Sequence, residues 1–323
     1  MTPPSLKPGA VIIGRNEGAR FLACLEALGE QFCHVVYVDS GSTDGSLAAA
    51  EAAGVEVVNL DMRQPFTAAR ARNAGLDRLS ALPEPPEFVQ FIDGDCALQP
   101  GWVATATAFL ADNPRVAMAC GRRRERFPGA SVYNRLIDRE WDTPVGRVRA
   151  TGGDVMGRRA ALEQVGGFDP ALIAGEEPEL CLRLRGQGWD IWRLDAEMTE
   201  HDAALTRFPQ WWQRAKRAGY TYAEGAAMYG ATPERHKVRA LQSTLLWGLA
   251  LPLLILLAAL FLTPWALLGV LLYPAQVARL ARRSGDPAQA LFLVLAKFAE
   301  TAGVLTYGWR RLSGARARLI EYK

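Results

Sequence analysis

The sequence predicts an α/β fold, a doubly wound and mostly parallel sheet, followed by a C-terminal α-helical membrane region. Three observations carry this reading. Short apolar runs alternate with helical patterns from Ala10 to Ile92. An apolar run, Phe91-Ile92, ends in the acidic pair Asp93-Gly94-Asp95. A long stretch, Ala240 through Ala278, contains no charged residue and no histidine.

The elements follow in order. Ala10–Ile13 reads as a short buried strand, and residues 17–28 place Phe21, Leu22, Leu25 and Leu28 at helical spacing. Val35–Val38 is a second strand, ending in the turn cluster Asp39-Ser40-Gly41-Ser42-Thr43-Asp44-Gly45, which can cap a helix starting at Ser46. Residues 55–60 form a third strand, 67–79 a helix and 88–92 a fourth strand. Strands alternating with helices imply parallel pairing. In such sheets ligands collect at the carboxyl ends of the strands. Hard carboxylate oxygens there suit Mg²⁺ or Mn²⁺, which in turn hold phosphate oxygens. No Gly-x-Gly-x-x-Gly follows the first strand, so the dinucleotide fingerprint is absent.

Residues 100–230 are less regular. A fifth strand is expected near 116–119, followed by the basic run Arg122-Arg123-Arg124-Glu125-Arg126. A helix over 158–165 leads to the turn Gly166-Gly167-Phe168-Asp169-Pro170. Glu176-Glu177 opens a helix through Arg185, 189–193 reads as a strand, and 210–228 as a helix.

The 39 uncharged residues from 240 to 278 would measure about 58 Å as one helix, roughly two crossings of a hydrocarbon core. Thr263-Pro264-Trp265 is the natural break, so a hairpin over about 240–283 is expected. Pro252 and Pro274 are candidate kinks. Arg235, His236, Lys237 and Arg239 precede the stretch, and Arg279, Arg282 and Arg283 follow it, so both ends should be cytoplasmic. Residues 288–309 are apolar but carry Lys297 and Glu300, which can pair at i,i+3. They form either an interfacial amphipathic helix, the preferred reading, or a third membrane helix, which would put the basic Arg310, Arg311, Arg316 and Arg318 outside. The domains expected are 1–232, catalytic, and 233–323, membrane-associated.

Composition bounds the function. Of 323 residues half are hydrophobic, enough for a sizeable core. The net charge of +3 is too small to argue for nucleic acid. From Arg279 onward nine Lys/Arg face three Asp/Glu, so the C-terminal part holds the positive excess. Five scattered cysteines without metal-type spacing fit a reducing compartment. Met1-Thr2-Pro3-Pro4 lacks the basic start and apolar core of a signal peptide, so the catalytic part is expected in the cytosol.

Several motifs, in order, resemble those of the family 2 glycosyltransferases with the GT-A fold. They are Val11-Ile12-Ile13-Gly14-Arg15-Asn16-Glu17, Val38-Asp39-Ser40-Gly41-Ser42-Thr43-Asp44, Ala71-Arg72-Asn73-Ala74-Gly75 and Asp93-Gly94-Asp95. Gly166-Gly167-Phe168-Asp169 and Gly175-Glu176-Glu177-Pro178-Glu179-Leu180-Cys181-Leu182-Arg183 resemble the family's later acidic motif. The resemblance covers about residues 10–220. It implies an inverting transfer from a nucleotide-diphosphate sugar with a divalent metal, Mg²⁺ or Mn²⁺. With the membrane segment it implies an integral protein at the cytoplasmic face of a bacterial inner membrane. A lipid-linked acceptor, in polysaccharide or glycolipid assembly, is the partner expected there.

Residue roles follow from the resemblance and from side-chain chemistry. Arg15, Glu17 and Asp39 stand where the base and ribose of the donor would lie. Arg72 is a candidate diphosphate contact, because guanidinium forks match phosphate oxygens. Asp93 and Asp95 would hold metal and diphosphate, Asp95 more directly, and His201 is a candidate further metal ligand. Glu177 aligns with the family's usual base, with Glu176 second; Glu-Glu replaces the commoner Glu-Asp. Gly153 and Asp154 should border the sugar or acceptor. Arg214 and Arg217, in a basic and aromatic segment lacking the Gln-x-x-Arg-Trp pattern of processive synthases, can contact diphosphate or acceptor or meet membrane-surface charge. Single additions are therefore expected. The rival readings are a Mg²⁺-dependent nucleotidyltransferase, which would want a richer phosphate loop than Gly14-Arg15-Asn16-Glu17, and an inactive membrane scaffold that binds nucleotide.

Overall fold

The computed structural model describes residues 7–314; Met1-Thr2-Pro3-Pro4, Arg316 and Arg318 lie outside them. The chain divides into two compact units at Ala204/Leu205. The helix expected over 210–228 thus belongs to the second unit, and the division falls before the expected 232.

The first unit opens as expected: β1 (Gly9–Gly14), α1 (Ala19–Leu28), β2 (His34–Asp39), α2 (Ser46–Ala52), β3 (Glu56–Asn59), α3 (Ala68–Ser80) and β4 (Phe88–Asp93). These four strands are parallel, in the order β3-β2-β1-β4. The order reverses after β3, so β1 and β4 become neighbours and their carboxyl ends flank a switch-point crevice. Ile13 pairs with Asp93 and Gly14 with Asp39, which puts both acids level with the end of β1. Val11, Ile12, Val36, Tyr37, Phe91 and Ile92 are wholly buried, the pattern of strands covered on both faces. Gly75 brings α3 onto β1, since a Cβ there would lie 2.3 Å from Val11.

Beyond β4 the sheet becomes mixed. The chain continues through β5 (Cys96–Leu98), α4 (Trp102–Asp112), β6 (Val116–Glu125), α5 (Val132–Glu140), β7 (Gly146–Arg147), β8 (Val155–Arg158), α6 (Arg159–Gln164), α7 (Glu176–Gly186) and β9 (Asp190–His201). Strand β8 is antiparallel to both β4 and β6, β6 is parallel to β9, and β5 and β7 pair antiparallel with β9. The fifth strand is longer than its apolar start indicates and absorbs the basic run. Arg122 pairs with Asp138 of α5 at 3.1 Å and Arg124 with Glu197 of β9 at 3.0 Å, so these charges find partners on neighbouring elements. The β6/β9 ladder slips in register around Arg122 and Arg123, a bulge.

The second unit holds α8 (Phe208–Tyr229), α9 (Val238–Leu245), a π turn over Leu246–Ala250, α10 (Leu251–Phe261), a 3-10 helix over Pro264–Leu271, α11 (Leu272–Ser284) and α12 (Pro287–Ser313). Among the described residues two helical stretches are long and apolar enough to cross a membrane, Val238–Phe261 and Pro287–Ser313, whose most apolar 18-residue windows have mean hydropathy 2.4 and 1.5. Pro252 has no N–H, and its ring crowds the carbonyl four residues back, at Gly248; the π turn lies there. The break at Thr263-Pro264-Trp265 is present, with the Thr263 hydroxyl accepting from the Trp265 N–H at 3.4 Å. Lys297 and Glu300 form the i,i+3 pair at 2.7 Å, with the Thr244 hydroxyl donating to the same carboxylate. Gly219 and Gly303 let α8 and α12 touch: a Cβ at 219 would lie 1.9 Å from the Glu300 carbonyl oxygen, and one at 303 would lie 2.0 Å from that of Lys216.

Candidate active site

The loops after β1 and β2 are sewn together. Asn16, at φ 56°, accepts from the Thr43 N–H at 2.7 Å, and its own N–H donates to the Ser42 hydroxyl at 3.0 Å. Asp44 accepts from the Ser46 N–H and the Gly18 N–H, both at 3.0 Å, so it ties the start of α2 to that of α1. The Ser46 side chain first, then the Ser46 and Gly18 N–H groups, hold its carboxyl below the usual range. The Asp39 carboxylate is buried and accepts from the Tyr37 hydroxyl and from the Gly41 and Ser42 N–H groups, each at 2.9 Å. Its first task is therefore to shape the β2 loop. Arg15 is exposed, and Glu17 pairs with Arg20 at 2.7 Å.

Arg72 lies at the centre of the crevice, on the second turn of α3, and is 2 % exposed. It donates to Asp93 Oδ1 at 2.9 Å and to Glu176 Oε1 at 2.8 Å, and lies 3.3 Å from Glu177 Oε1. Its guanidinium stands 5.6 Å over the Phe168 ring. The neighbouring Asn73 bonds the Phe168 backbone twice, donating to its carbonyl and accepting from its N–H, both at 2.8 Å. That amide fixes the turn leading to Gly175, which is left-handed at φ 79°, and so to the start of α7. Glu176 is buried there, and Glu177 is 16 % exposed at its side chain. Burial, then the adjacent Glu176 charge, push the Glu177 carboxyl up to about 7, against the pull of Arg72.

Asp93 is gripped from a second side by Arg123, which donates to Oδ2 at 3.0 Å. Burial would raise its carboxyl, but Arg72 and Arg123 outweigh burial and hold it well below the usual range. Arg123 also reaches the Cys96 sulfur at 3.0 Å and Asp154 at 3.1 Å, and it stacks 5.0 Å over Trp141. Asp154, 1 % exposed, accepts from the Asp93 N–H at 3.0 Å and the Thr199 hydroxyl at 2.8 Å. It anchors the end of β4.

Asp95 and His201 come together at 3.2 Å, Oδ2 to Nε2, because β5 and β9 pair Cys96 with His201. Glu125 lies 3.9 Å from the other ring nitrogen, and Trp141 stands edge-on to the ring. Burial, then the Arg123 charge, push the imidazole below its ordinary range, which keeps it neutral and able to bind a metal. Asp95, Cys96 and His201 place one donor atom each within 4.8 Å of one another. A buried carboxylate and a neutral imidazole fit a divalent metal.

The crevice thus gathers Arg72, Asp93, Asp95, Asp154, Glu176, Glu177 and His201, with Gly153 against Arg72 and Asp93. Arg214 and Arg217 lie on α8, in the second unit. Sequence reasoning passed over Arg123, Glu125 and Cys96. The one available signal was the i,i+2 spacing of Arg123 and Glu125 within the basic run, which puts both on one face of a strand.

Residues 10–165 match the family model described as glycosyl transferase family 2. A pre-mycofactocin glycosyltransferase, found in two strains of Mycobacterium tuberculosis, is 26 % identical over 145 residues, 42 % of this chain. The chain spans 30 % of the length of those curated relatives. Among solved structures, a mannosyltransferase from Pyrobaculum calidifontis in complex with GDP-Man and Mn²⁺ superposes with a TM-score of 0.60 at 21 % identity, covering 95 % of this chain and 89 % of that one. That likeness concerns the fold, which is GT-A.

Proposed function

From the premise that the chain is a glycosyltransferase, with a family 2 domain over residues 10–165, we propose that it performs an inverting transfer of a sugar from a nucleotide-diphosphate donor to a lipid-linked acceptor at the cytoplasmic face of a membrane. The observation that carries the proposal is the pairing of a carboxyl poised near neutrality, Glu177, with the strand-end acids Asp93 and Asp95 across one crevice. Glu177 takes the proton of the acceptor hydroxyl as that oxygen attacks the anomeric carbon, and the diphosphate leaves from the opposite face. Arg15, Glu17 and the Asp39 loop receive the base and ribose. Asp95 and His201 would hold a divalent metal, which neutralises the departing diphosphate. The Pyrobaculum mannosyltransferase is in complex with GDP-Man and Mn²⁺, which supports a nucleotide-diphosphate sugar and a divalent metal.

Membrane attachment rests on the two apolar helices and their basic flanks. An enzyme tethered to the bilayer meets acceptors confined to it, and polysaccharide or glycolipid assembly is the process that supplies them. The test is incubation of membranes containing the chain with a panel of nucleotide sugars, followed by the mass of the lipid-extractable product. A product heavier by one hexosyl or related residue supports the reading. Transfer only to water-soluble acceptors removes the lipid link, and no transfer from any donor removes the activity.

A further inference from the structure

The sequence pattern offers Arg72 as a diphosphate contact, and the structure gives its guanidinium another occupation. It bridges Asp93, at the end of β4, and Glu176 and Glu177, at the start of α7, within 2.8–3.3 Å. Three neighbours hold it there. Phe168 lies under the guanidinium plane at 5.6 Å. Asn73, the next residue, locks the Phe168 backbone. Gly153 closes the remaining side: a Cβ there would lie 2.3 Å from Arg72 Nη2 and 3.0 Å from Asp93 Oδ2. Both Nη atoms are thus engaged by carboxylates, the buried Nε alone has no partner, and the side chain is 3 % exposed.

We infer that Arg72 is a positioning residue, which joins the donor side of the crevice to the base side by binding Asp93 and Glu176–Glu177 at once, and is not a ligand of the donor diphosphate. This deepens the glycosyl-transfer reading and rests on it. A single rigid cation between two sets of acids fixes the distance from the departing diphosphate to the proton acceptor. It also keeps Glu177 ionisable despite its neighbours. The charged groups facing Glu177 are Glu176 on its own helix, Arg72 on α3 and Asp93 on β4. With two acids repelling and one cation attracting, loss of Arg72 drives Glu177 toward its protonated form.

The test compares wild type, Arg72→Gln, Arg72→Lys and Gly153→Ala as full-length chains in nanodiscs. Binding of UDP and of GDP with Mn²⁺ is measured by calorimetry. The Glu177 carboxyl band, identified by its loss in Glu177→Gln, is titrated by infrared spectroscopy. The inference expects both Arg72 variants to bind the better nucleotide as wild type does, while the Glu177 band titrates at higher pH in Arg72→Gln and closer to wild type in Arg72→Lys. Gly153→Ala should shift the band in the same direction by less, and it decides the matter if Arg72→Gln does not fold. A charge-assisted bond to phosphate is worth about 1.5–3 kcal/mol, so an affinity loss of about tenfold or more in Arg72→Gln, with the carboxyl band unmoved, makes Arg72 a diphosphate ligand and overturns the inference. Neither readout requires turnover. An inactive wild type would therefore remove the proposed activity and leave this question decidable.

Discussion

The side-chain amide of Asn73 clasps the backbone of Phe168 at both its N–H and its carbonyl, each at 2.8 Å, across 95 residues of sequence. The clasp fixes the turn that carries Gly175 and the two acids of α7. Asn73→Ala should lower stability by about 1–3 kcal/mol, the cost of leaving buried backbone groups unpaired. It should also slow transfer, because α7 loses its fixed start. Chemical denaturation beside single-turnover kinetics checks both. A variant with wild-type stability and rate would show that the turn holds itself.

Glu177 sets an expectation for pH. With its carboxyl pushed up to about 7, transfer should fall as pH drops through neutrality, as the base becomes protonated. The stability effect has a definite sign. The folded chain binds an extra proton at this group between about pH 4, the unfolded value, and about pH 7, so its contribution to stability declines as pH rises through that window. Glu177→Gln should therefore lose about 10²–10⁴ in rate and yet melt higher than wild type at alkaline pH, with the difference vanishing in acid. Thermal scans across pH test it, and a melting difference independent of pH would contradict the raised carboxyl.

Asp95 and His201 should act together on the metal. Asp95→Asn keeps shape and removes an anionic oxygen; His201→Ala removes the imidazole. Each should weaken Mn²⁺ binding, measured by electron paramagnetic resonance of the free ion, and slow transfer by orders of magnitude. The double variant should cost less than the sum of the two, since they share one ligand set. Full activity of the wild type in excess chelator would sink the metal role.

The membrane hairpin is tested by cysteine labelling. Cys33 is exposed and the other four thiols are buried, so Cys33→Ser gives a quiet background for introduced cysteines. Positions 236 and 283 should label from the same side of sealed vesicles. Opposite accessibility would remove the hairpin.

Much of this was legible in the sequence where local signals sufficed. Asp39, Asp93 and Asp95 stand directly after apolar runs, and Glu176-Glu177 opens a helix, so their places at element ends followed from periodicity. What was hidden depends on pairing between distant strands. Asp154 was expected beside the sugar. The β4/β8 register, Phe91 with Val155, also brings it to the Asp93 N–H, a contact that no local pattern announces. Strand β8 has four residues and leaves no periodic trace. Arg123 was concealed because a charged run argues against a strand unless each charge finds a partner, and those partners, on α5, β4 and β9 and at Asp154 just before β8, are remote in sequence. The residues after the Thr263-Pro264-Trp265 break read as the second leg of a helical hairpin with a candidate kink at Pro274, but the chain begins that leg as a 3-10 helix, with a rise of about 2.0 Å per residue in place of about 1.5 Å. Composition cannot distinguish the two windings.

The bulge in β6 bears on which length changes this chain can accept. Side chains alternate across a strand, so removing a single residue between Cys120 and Arg123 would turn Arg123 to the opposite face and bring Arg124 into its place. The replacement would be another arginine, entering from a different backbone position. Runs of one residue type at a slip point make such a frame error partly self-repairing. A variant of this chain one residue shorter there would keep a guanidinium against the strand-end acid while the position that supplies it moves.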